Sequence, residues 1–161
     1  MKRVLMLSTV ASLQDQFNMA NIRMLRNLHC DVHVACNFVQ GNNTSPQRIA
    51  VFQKELAALG VTCHQIDFAR SPFHLLQNHR AYQQLKAVLH VDAFDCMHCH
   101  TPVGGIYGRK AADAFQIPVI YTAHGFHFFQ GAPLWNWLLF YPVEKYYARK
   151  TDVLVTINSE D

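Results

Sequence analysis

The feature that most constrains the fold is a regular alternation along the chain between apolar runs of strand length and segments with helical periodicity. The apolar runs cover residues 4–8, 32–36, 61–66, 94–99, 118–123 and 153–157. Several of them are apolar throughout, which is typical of strands buried on both faces of a parallel sheet. Strands that alternate with helices build doubly wound α/β sheets. The sequence therefore predicts a six-stranded, mostly parallel sheet with helices on both faces.

Prolines mark where helices of this sheet begin. A capping residue stands before a proline at the first helical position in Ser45-Pro46, Ser71-Pro72 and Thr101-Pro102. The first helix is expected to present an apolar stripe made of Phe17, Ala20, Met24, Leu25 and Leu28. A last helical segment, residues 134–150, is apolar on more than one face and contains Pro142, which predicts a kink or two abutting helices. These elements together predict one Rossmann-like domain over residues 1–161.

Composition excludes several classes of protein. Half of the residues are apolar and 16% are charged, so the chain can form a packed core. The net charge of +3 is too small to indicate a nucleic-acid partner. No segment approaches the roughly 20 apolar residues of a membrane-spanning helix. The five cysteines are odd in number and lie mostly in apolar runs, which favours free thiols in a reducing compartment. We therefore expect a cytoplasmic protein.

Polar, imidazole and glycine residues gather just beyond the strands. In an open parallel sheet, ligands bind outside the carboxyl ends of the strands. This rule selects as candidate binding residues Thr9, Ser12, Arg70, His100, Thr101, Gly104, Gly105, His124, Gly125 and His127. The remaining histidines, His33 and His64 among them, are interpreted as surface, packing or mid-strand residues.

Two of these positions have alternative interpretations. Gly104 and Gly105, at a helix start, leave N–H groups that attract phosphate or carboxylate, or they allow tight packing of the helix on a strand. His124 follows a buried strand and precedes a glycine, a place where an imidazole reaches a sugar hydroxyl or a developing charge. We favour a functional role for His124, and for His127 a place in an acceptor pocket or in aromatic packing.

Neither a metal nor an organic cofactor is expected. Residues 96–100 read CMHCH, but alternate residues of a strand point to opposite faces, so Cys96 and Cys99 diverge. No second pair of ligands with zinc spacing accompanies them. The first strand is followed by neither the glycine fingerprint of dinucleotide-binding folds nor a phosphate-binding P-loop.

Residues 98–105 (HCHTPVGG) and 121–128 (YTAHGFHF) carry a resemblance to a known family. They resemble the amino-terminal half of family 4 glycosyltransferases with the GT-B fold, of the type that builds bacterial capsular polysaccharides or exopolysaccharides. The similarity continues through residues 32–37, 70–73, 136–145 and 156–161, so it covers essentially the whole chain.

The resemblance implies a fold and an activity. Family members have two Rossmann-like domains; the amino-terminal one chiefly binds the acceptor, and the carboxyl-terminal one holds most of the nucleotide-sugar site. The implied reaction is a metal-independent, retaining transfer from a nucleotide diphosphate sugar to a lipid-linked glycan acceptor. His124 matches the family histidine that reaches the donor sugar near the reacting carbon. Many members have glycines after the first strand, whereas residues 9–15 contain none.

Two other functions and one location remain open at this point. A non-catalytic α/β binding or regulatory module fits the same pattern, and a small hydrolase would use His100 and His124 but lacks a nucleophile motif.

Residues 158–161 look like the cap and acidic first turn of a further helix, which indicates a fragment without the donor-binding domain and without activity of its own. Aromatic residues and cations in residues 134–150 either pack on the sheet or contact a membrane surface peripherally.

Overall fold

A computed structural model describes residues 1–157 as a six-stranded, fully parallel sheet in the order β3-β2-β1-β4-β5-β6. The strands are β1 (Arg3–Val10), β2 (Asp31–Asn37), β3 (Thr62–Gln65), β4 (Cys96–His100), β5 (Val119–Ala123) and β6 (Val153–Thr156). The predicted fold class is confirmed. The helical turn predicted for residues 158–161 lies outside the described residues.

Helices connect consecutive strands. They are α1 (Ala11–Leu13), α2 (Met19–Asn27), α3 (Pro46–Ala58), α4 (Leu75–Val91), α5 (Pro102–Phe115) and α6 (Leu134–Ala148), with a π-helical turn at Gln14–Asn18 between α1 and α2. The cap predicted for α3 is confirmed, because Ser45 Oγ accepts a hydrogen bond from the Arg48 N–H at 3.2 Å. None of the helices within residues 1–157 combines the length and apolar character needed to cross a bilayer.

The sheet separates two apolar cores. Side chains alternate across β1, so Leu5 and Leu7 enter the core beneath α4 and α5, whereas Val4 and Met6 enter the core beneath α2 and α3. β4 divides in the same way: Cys99 is buried in the first core, and Cys96 lines the opposite face. The predicted divergence of these two cysteines is confirmed, and all five cysteines are free thiols.

The stripe predicted for the first helix is wrong. Phe17, Met24 and Leu28 are more than half exposed, and the fully buried residue of α2 is Ile22. Within α2 itself, Met19, Ile22 and Leu25 face the core at a spacing of three residues. The predicted stripe and the observed face therefore share Leu25, whereas the assignment of Phe17, Ala20, Met24 and Leu28 to the core is wrong.

The helix start predicted at Ser71-Pro72 is also wrong. The helix α4 begins at Leu75, since residues 69–74 are held in a turn by the fully buried Asn78. Its Oδ1 accepts from the Ala69 N–H at 2.9 Å, and its Nδ2 donates to the Ser71 carbonyl at 2.9 Å. Ser71 Oγ accepts from the Phe73 N–H and so caps a local turn in place of a helix.

The final helix and strand are less buried than their composition predicts. α6 is a single helix through Pro142, so two abutting helices are excluded, and none of its residues is buried. Leu138 and Trp135 are exposed, which is at odds with packing on the sheet. Val153, Leu154 and Val155 of β6 are 40–49% exposed, because β6 occupies one edge of the sheet.

Glycines let α5 approach the sheet closely. A Cβ at Gly105 would lie 2.4 Å from Tyr121 Cε2, and a Cβ at Gly108 would lie 2.4 Å from Cys99 Sγ and 2.6 Å from Leu7 Cδ2. Both atoms next to Gly108 belong to buried side chains of the central strands. The helix therefore occupies a position that side chains at these sites would not permit.

We expect Gly108→Ala to lower the free energy of unfolding by about 1–2 kcal/mol, measured by urea denaturation. Overpacking costs about 1–3 kcal/mol, and the better helix propensity of alanine returns somewhat less than 1 kcal/mol. Cys99→Ala removes the sulfur that the new methyl group meets, so the double variant should recover part of the loss. If the changes in unfolding free energy caused by Gly108→Ala and Cys99→Ala simply add in the double variant, the close approach at Gly108 is not a packing constraint.

Candidate active site

The topology creates a crevice between β1 and β4. The chain moves from β1 toward one edge through β2 and β3, and from β4 toward the other edge through β5 and β6. Such a switch point opens the crevice where open α/β sheets bind ligands. Thr9, in the last part of β1, and Thr101, directly after β4, face each other across it.

Hydrogen bonds between these threonines fix the crevice floor. The Thr9 N–H donates to Thr101 Oγ1 at 3.2 Å, and Thr9 Oγ1 accepts from the Gly104 N–H at 3.2 Å. The Gly105 N–H donates to the Thr101 carbonyl at 2.7 Å. The donors of both glycines are thus used inside the fold, and the contacts favour the packing interpretation of Gly104 and Gly105.

Thr101 adopts a strained backbone conformation. Its φ of 67° lies in the left-handed region, which β-branched residues strongly avoid. Such a conformation costs on the order of 1–3 kcal/mol and is typical of functional sites. Its hydroxyl hydrogen-bonds with the Thr9 side chain and donates to the His100 carbonyl, so it is not available to cap α5.

A cavity of about 520 Å³ opens above this floor. Its walls are mostly apolar and include Phe17, Phe73, Ile106, Phe126, Phe128 and Leu139. Polar groups reach it from Thr9, Ser12, Arg70, Thr101, His127 and Glu144. Gly125, with a φ of 110°, forms part of the rim in a conformation that favours glycine. An apolar cavity with a few convergent polar groups is what a ligand site requires.

A buried ion pair anchors one wall of the cavity. Arg109 on α5 is 1% exposed and donates through Nη2 to Glu144 Oε2 on α6 at 2.8 Å. Its Nε donates to the Gly105 carbonyl at 2.9 Å, and its guanidinium lies 4.0 Å from the Tyr121 ring centroid. The pair neutralises the carboxylate beside the cavity and fixes α6 to α5.

Three histidines form a second polar group on the opposite face of β4 and β5. His98 Nε2 lies 2.8 Å from Thr122 Oγ1, and His100 Nδ1 lies 3.3 Å from His124 Nε2. The rings of His98 and His100 are 4.1 Å apart, and Phe17 packs 5.4 Å from the His124 ring. All three histidines line a groove of about 900 Å³ between this face of the sheet and α2.

Burial keeps these imidazoles neutral. Burial, together with a smaller contribution from the neighbouring histidines, lowers the pKa of His100 to about 2 and of His98 to about 4. The pKa of His124 is also lowered by burial. His100 Nε2 is buried without a hydrogen-bond partner among residues 1–157. The group therefore offers uncharged donors and acceptors to a ligand at neutral pH.

A comparison with known families identifies this architecture. The family model described as "Glycosyl transferase 4-like domain" matches residues 17–160. The chain belongs to this family. The glycosyl transferase 4-like domain is also 40% identical to a Bacillus subtilis (strain 168) protein provisionally named glycosyltransferase EpsD. That match covers 99% of this chain and 39% of the relative, so the chain spans well under half of the relative's length.

Solved structures share the fold at low sequence identity. MurG from Acinetobacter baumannii matches with a TM-score of 0.62 and 15% identity, over 98% of this chain and 42% of MurG. CalG4, the calicheamicin glycosyltransferase, matches with a TM-score of 0.58 and 13% identity, over 85% of this chain and 36% of CalG4. The resemblance to one half of a GT-B fold is confirmed.

The candidate residues divide between the two sides of the glycosyl transferase 4-like domain. The cavity is lined by Thr9, Ser12, Arg70, Thr101, Gly125 and His127. The groove is lined by His100 and His124. Gly104 and Gly105 instead contact β1, Thr101 and Tyr121 at the floor. That these residues bind substrate stays a prediction.

Sequence reasoning missed the contribution of α6 to the cavity. Leu139, Phe140, Val143 and Glu144 form a wall of it. The rule that selects residues just after strands does not reach the middle of a helix. A usable signal was present, because Glu144 is an isolated acid in an apolar helix and therefore calls for a buried partner such as Arg109.

We expect the free energy of unfolding to fall as the pH drops from about 6 to 4. The unfolded chain protonates its histidines near pH 6.5, whereas the folded pKa values of His98 and His100 are lower. Stability is thus full above that pH and is lost below it, by up to about 1.4 kcal/mol per pH unit for each such group. Urea denaturation at several pH values measures the slope.

His100→Asn should make this slope shallower, and the exposed His79→Gln should leave it unchanged. The same slope in His100→Asn and the parent chain would show that His100 binds protons alike in the folded and unfolded states, which contradicts the effect of burial.

Proposed function

We propose that this domain is the acceptor side of a retaining glycosyltransferase in polysaccharide biosynthesis. The donor is a nucleotide diphosphate sugar, and the acceptor is a lipid-linked glycan. The observation that carries the proposal is the mostly apolar cavity at the switch point, which has polar groups only at a few places on its wall. A glycan with an apolar carrier fits such a lining, since its hydroxyls meet the polar groups and its carrier meets the aromatic walls.

His124 is proposed to contact the donor sugar. It lies one residue beyond β5, and its lowered pKa keeps the ring neutral, so that an N–H can donate to a sugar hydroxyl. His100 Nε2 and Asn18 Nδ2 line the same groove and are buried without partners among the described residues. Sugar hydroxyls would satisfy both groups, whose desolvation is otherwise uncompensated.

The donor's diphosphate is proposed to bind chiefly to a second domain in the complete protein, and no metal is required. β1 passes directly into α1 without a glycine, and the N–H groups of Gly104 and Gly105 in the first turn of α5 are used internally. The switch point within this chain therefore has few groups for phosphate. We expect the 161-residue chain alone to turn over no nucleotide sugar.

The proposal is tested with the complete protein and a panel of radiolabelled nucleotide sugars, incubated with bacterial membrane lipid. Transfer of label into the lipid extract, in the presence of EDTA, is the expected result. Absence of transfer with every donor, or label released only as free sugar, contradicts it. The second result would indicate hydrolysis instead of transfer.

His124→Ala in the complete protein is expected to lower kcat about a hundredfold with a small change in the donor KM. Loss of one electrostatic contact to the transition state has this magnitude, and an effect on kcat separates it from ground-state binding. His79→Ala, a change at an exposed position of α4, is the matched control. An unchanged kcat in folded His124→Ala protein would assign this histidine a packing role.

A weak, peripheral contact with the cytoplasmic face of the membrane is also proposed. Leu134, Trp135 and Leu138 are exposed on α6, and the cations Lys145 and Arg149 lie at its carboxyl-terminal end. Lys150 pairs with Asp113, which reduces the positive charge available to lipid. Each available cation contributes about 1 kcal/mol near an anionic surface, so the association is reversible and sensitive to salt.

Liposome flotation checks this contact. The chain is expected to float with anionic vesicles at low salt, and to remain in solution with neutral vesicles or at high salt. Trp135→Ser/Leu138→Ser should weaken flotation, because both side chains are exposed and their loss spares the core. A chain that stays in solution under every condition has no membrane contact through α6.

A further inference from the structure

Two histidines converge at the β3 side of the sheet, away from the cleft. His33 on β2 and His64 on β3 are diagonal neighbours on one face, since His33 is in register with Thr62 and His64 with Ala35. His33 Nδ1 lies 2.8 Å from His64 Nε2, and the ring planes are inclined by 18° with their centroids 5.0 Å apart, so the two nitrogens face each other. A 2.8 Å approach requires one nitrogen to present its lone pair to the other. Neither side chain lines the cavity or the groove.

A carboxylate completes a set of three donors. Asp92 is the residue at which α4 ends, and one of its oxygens lies within 4.8 Å of a ring nitrogen of each histidine. The end of the 17-residue helix α4 adds partial negative charge at this point. Among residues 1–157, this is the set of three His, Cys, Asp or Glu side chains whose ligand atoms all lie within 4.8 Å of one another.

A second carboxylate fixes the tautomer of His33. His33 Nε2 lies 3.4 Å from Asp31 Oδ2, and a carboxylate only accepts, so the hydrogen of the ring is on Nε2. The lone pair of Nδ1 therefore faces His64 Nε2. Metal-binding histidines almost always donate their second N–H to such a partner. Asp31 is itself held by Arg3 Nε at 2.7 Å.

The positive charge of Arg3 lies next to these ligands and disfavours the binding of a metal cation. Arg3 Nη1 lies 3.3 Å from Asp92 Oδ1, a longer contact than the one from Arg3 Nε to Asp31. The two aspartates outweigh this single guanidinium when both imidazoles are neutral. Asp92 can leave Arg3 for a metal while Arg3 keeps its shorter bond to Asp31, which is the bond that orients His33.

We propose that His33, His64 and Asp92 bind a divalent transition metal, with zinc as the best fit and water completing the coordination shell. Two imidazoles and one carboxylate suit zinc, whereas calcium and magnesium require oxygen ligands. Bonds of about 2.0–2.2 Å in a tetrahedral site place the ligand atoms roughly 3.3 Å apart. Asp92 therefore moves inward, and the two imidazole rings, which face each other before the metal binds, turn so that both nitrogens point at the metal. The metal ties β2, β3 and the end of α4 together and plays no part in the proposed transfer reaction.

The metal-stripped chain is titrated with zinc chloride by calorimetry, and with cobalt(II) by visible absorption. One zinc per chain is expected, with a rise in Tm. Bound cobalt(II) is expected to show visible absorption bands typical of a low coordination number. His64→Ala and Asp92→Asn should each weaken binding at least tenfold. Asp31→Asn should weaken it 10–100-fold, since it removes the group that orients His33.

His79→Ala is the matched control, because it removes an exposed histidine of α4 and should leave zinc affinity unchanged. Circular dichroism checks that each variant folds. If His64→Ala in β3 unfolds the chain, Asp92→Asn still tests the site. No zinc binding by the parent chain overturns the proposal. So does zinc binding that survives both His64→Ala and Asp92→Asn, since the metal would then be bound by another group, such as His98, His100 and His124.

Discussion

The close approach of α5 to the carboxyl ends of β1 and β4 is the constraint on which the site depends. Gly104, Gly105 and Gly108 remove the side chains that would hold the helix away from the sheet. The approach brings the Gly104 N–H within reach of Thr9 and places Arg109 beneath Tyr121 and beside Glu144. The cavity floor and its α6 wall are therefore both consequences of one helix-to-sheet distance.

The two faces of the sheet near the crevice differ in chemical character. One face is a continuous apolar core under α4 and α5, and its cavity is lined by aromatic rings. The opposite face of β4 and β5 holds neutral imidazoles and Thr122 beside the aliphatic residues of β6. Histidines held uncharged by burial lower stability in acid, so their presence on a central strand is a cost that packing alone does not explain.

Local rules predicted the strands and the start of α3, because Val, Ile and Leu runs and the pair Ser45-Pro46 act through their immediate neighbours. They failed where a distant contact decides the structure. Asn78, seven residues beyond Ser71, holds the segment before α4 in a turn. His33 and His64 are 31 residues apart, so no local pattern predicts that their rings meet. The rule that ligands bind beyond the carboxyl ends of parallel strands selected residues such as Thr9 and Thr101, which do line the cavity.

The position of α6 has a consequence for motion. None of its residues is buried, and it is fixed chiefly by the Arg109–Glu144 pair and by ring contacts such as Phe128 with Tyr141. Segments with little buried apolar surface open at a lower free energy than the central strands. Backbone amides of α6 would then exchange their hydrogens before those of β1. Because α6 is a wall of the cavity, each such opening widens the entrance without unfolding the sheet, and a bulky acceptor gains a way in that the closed fold does not offer.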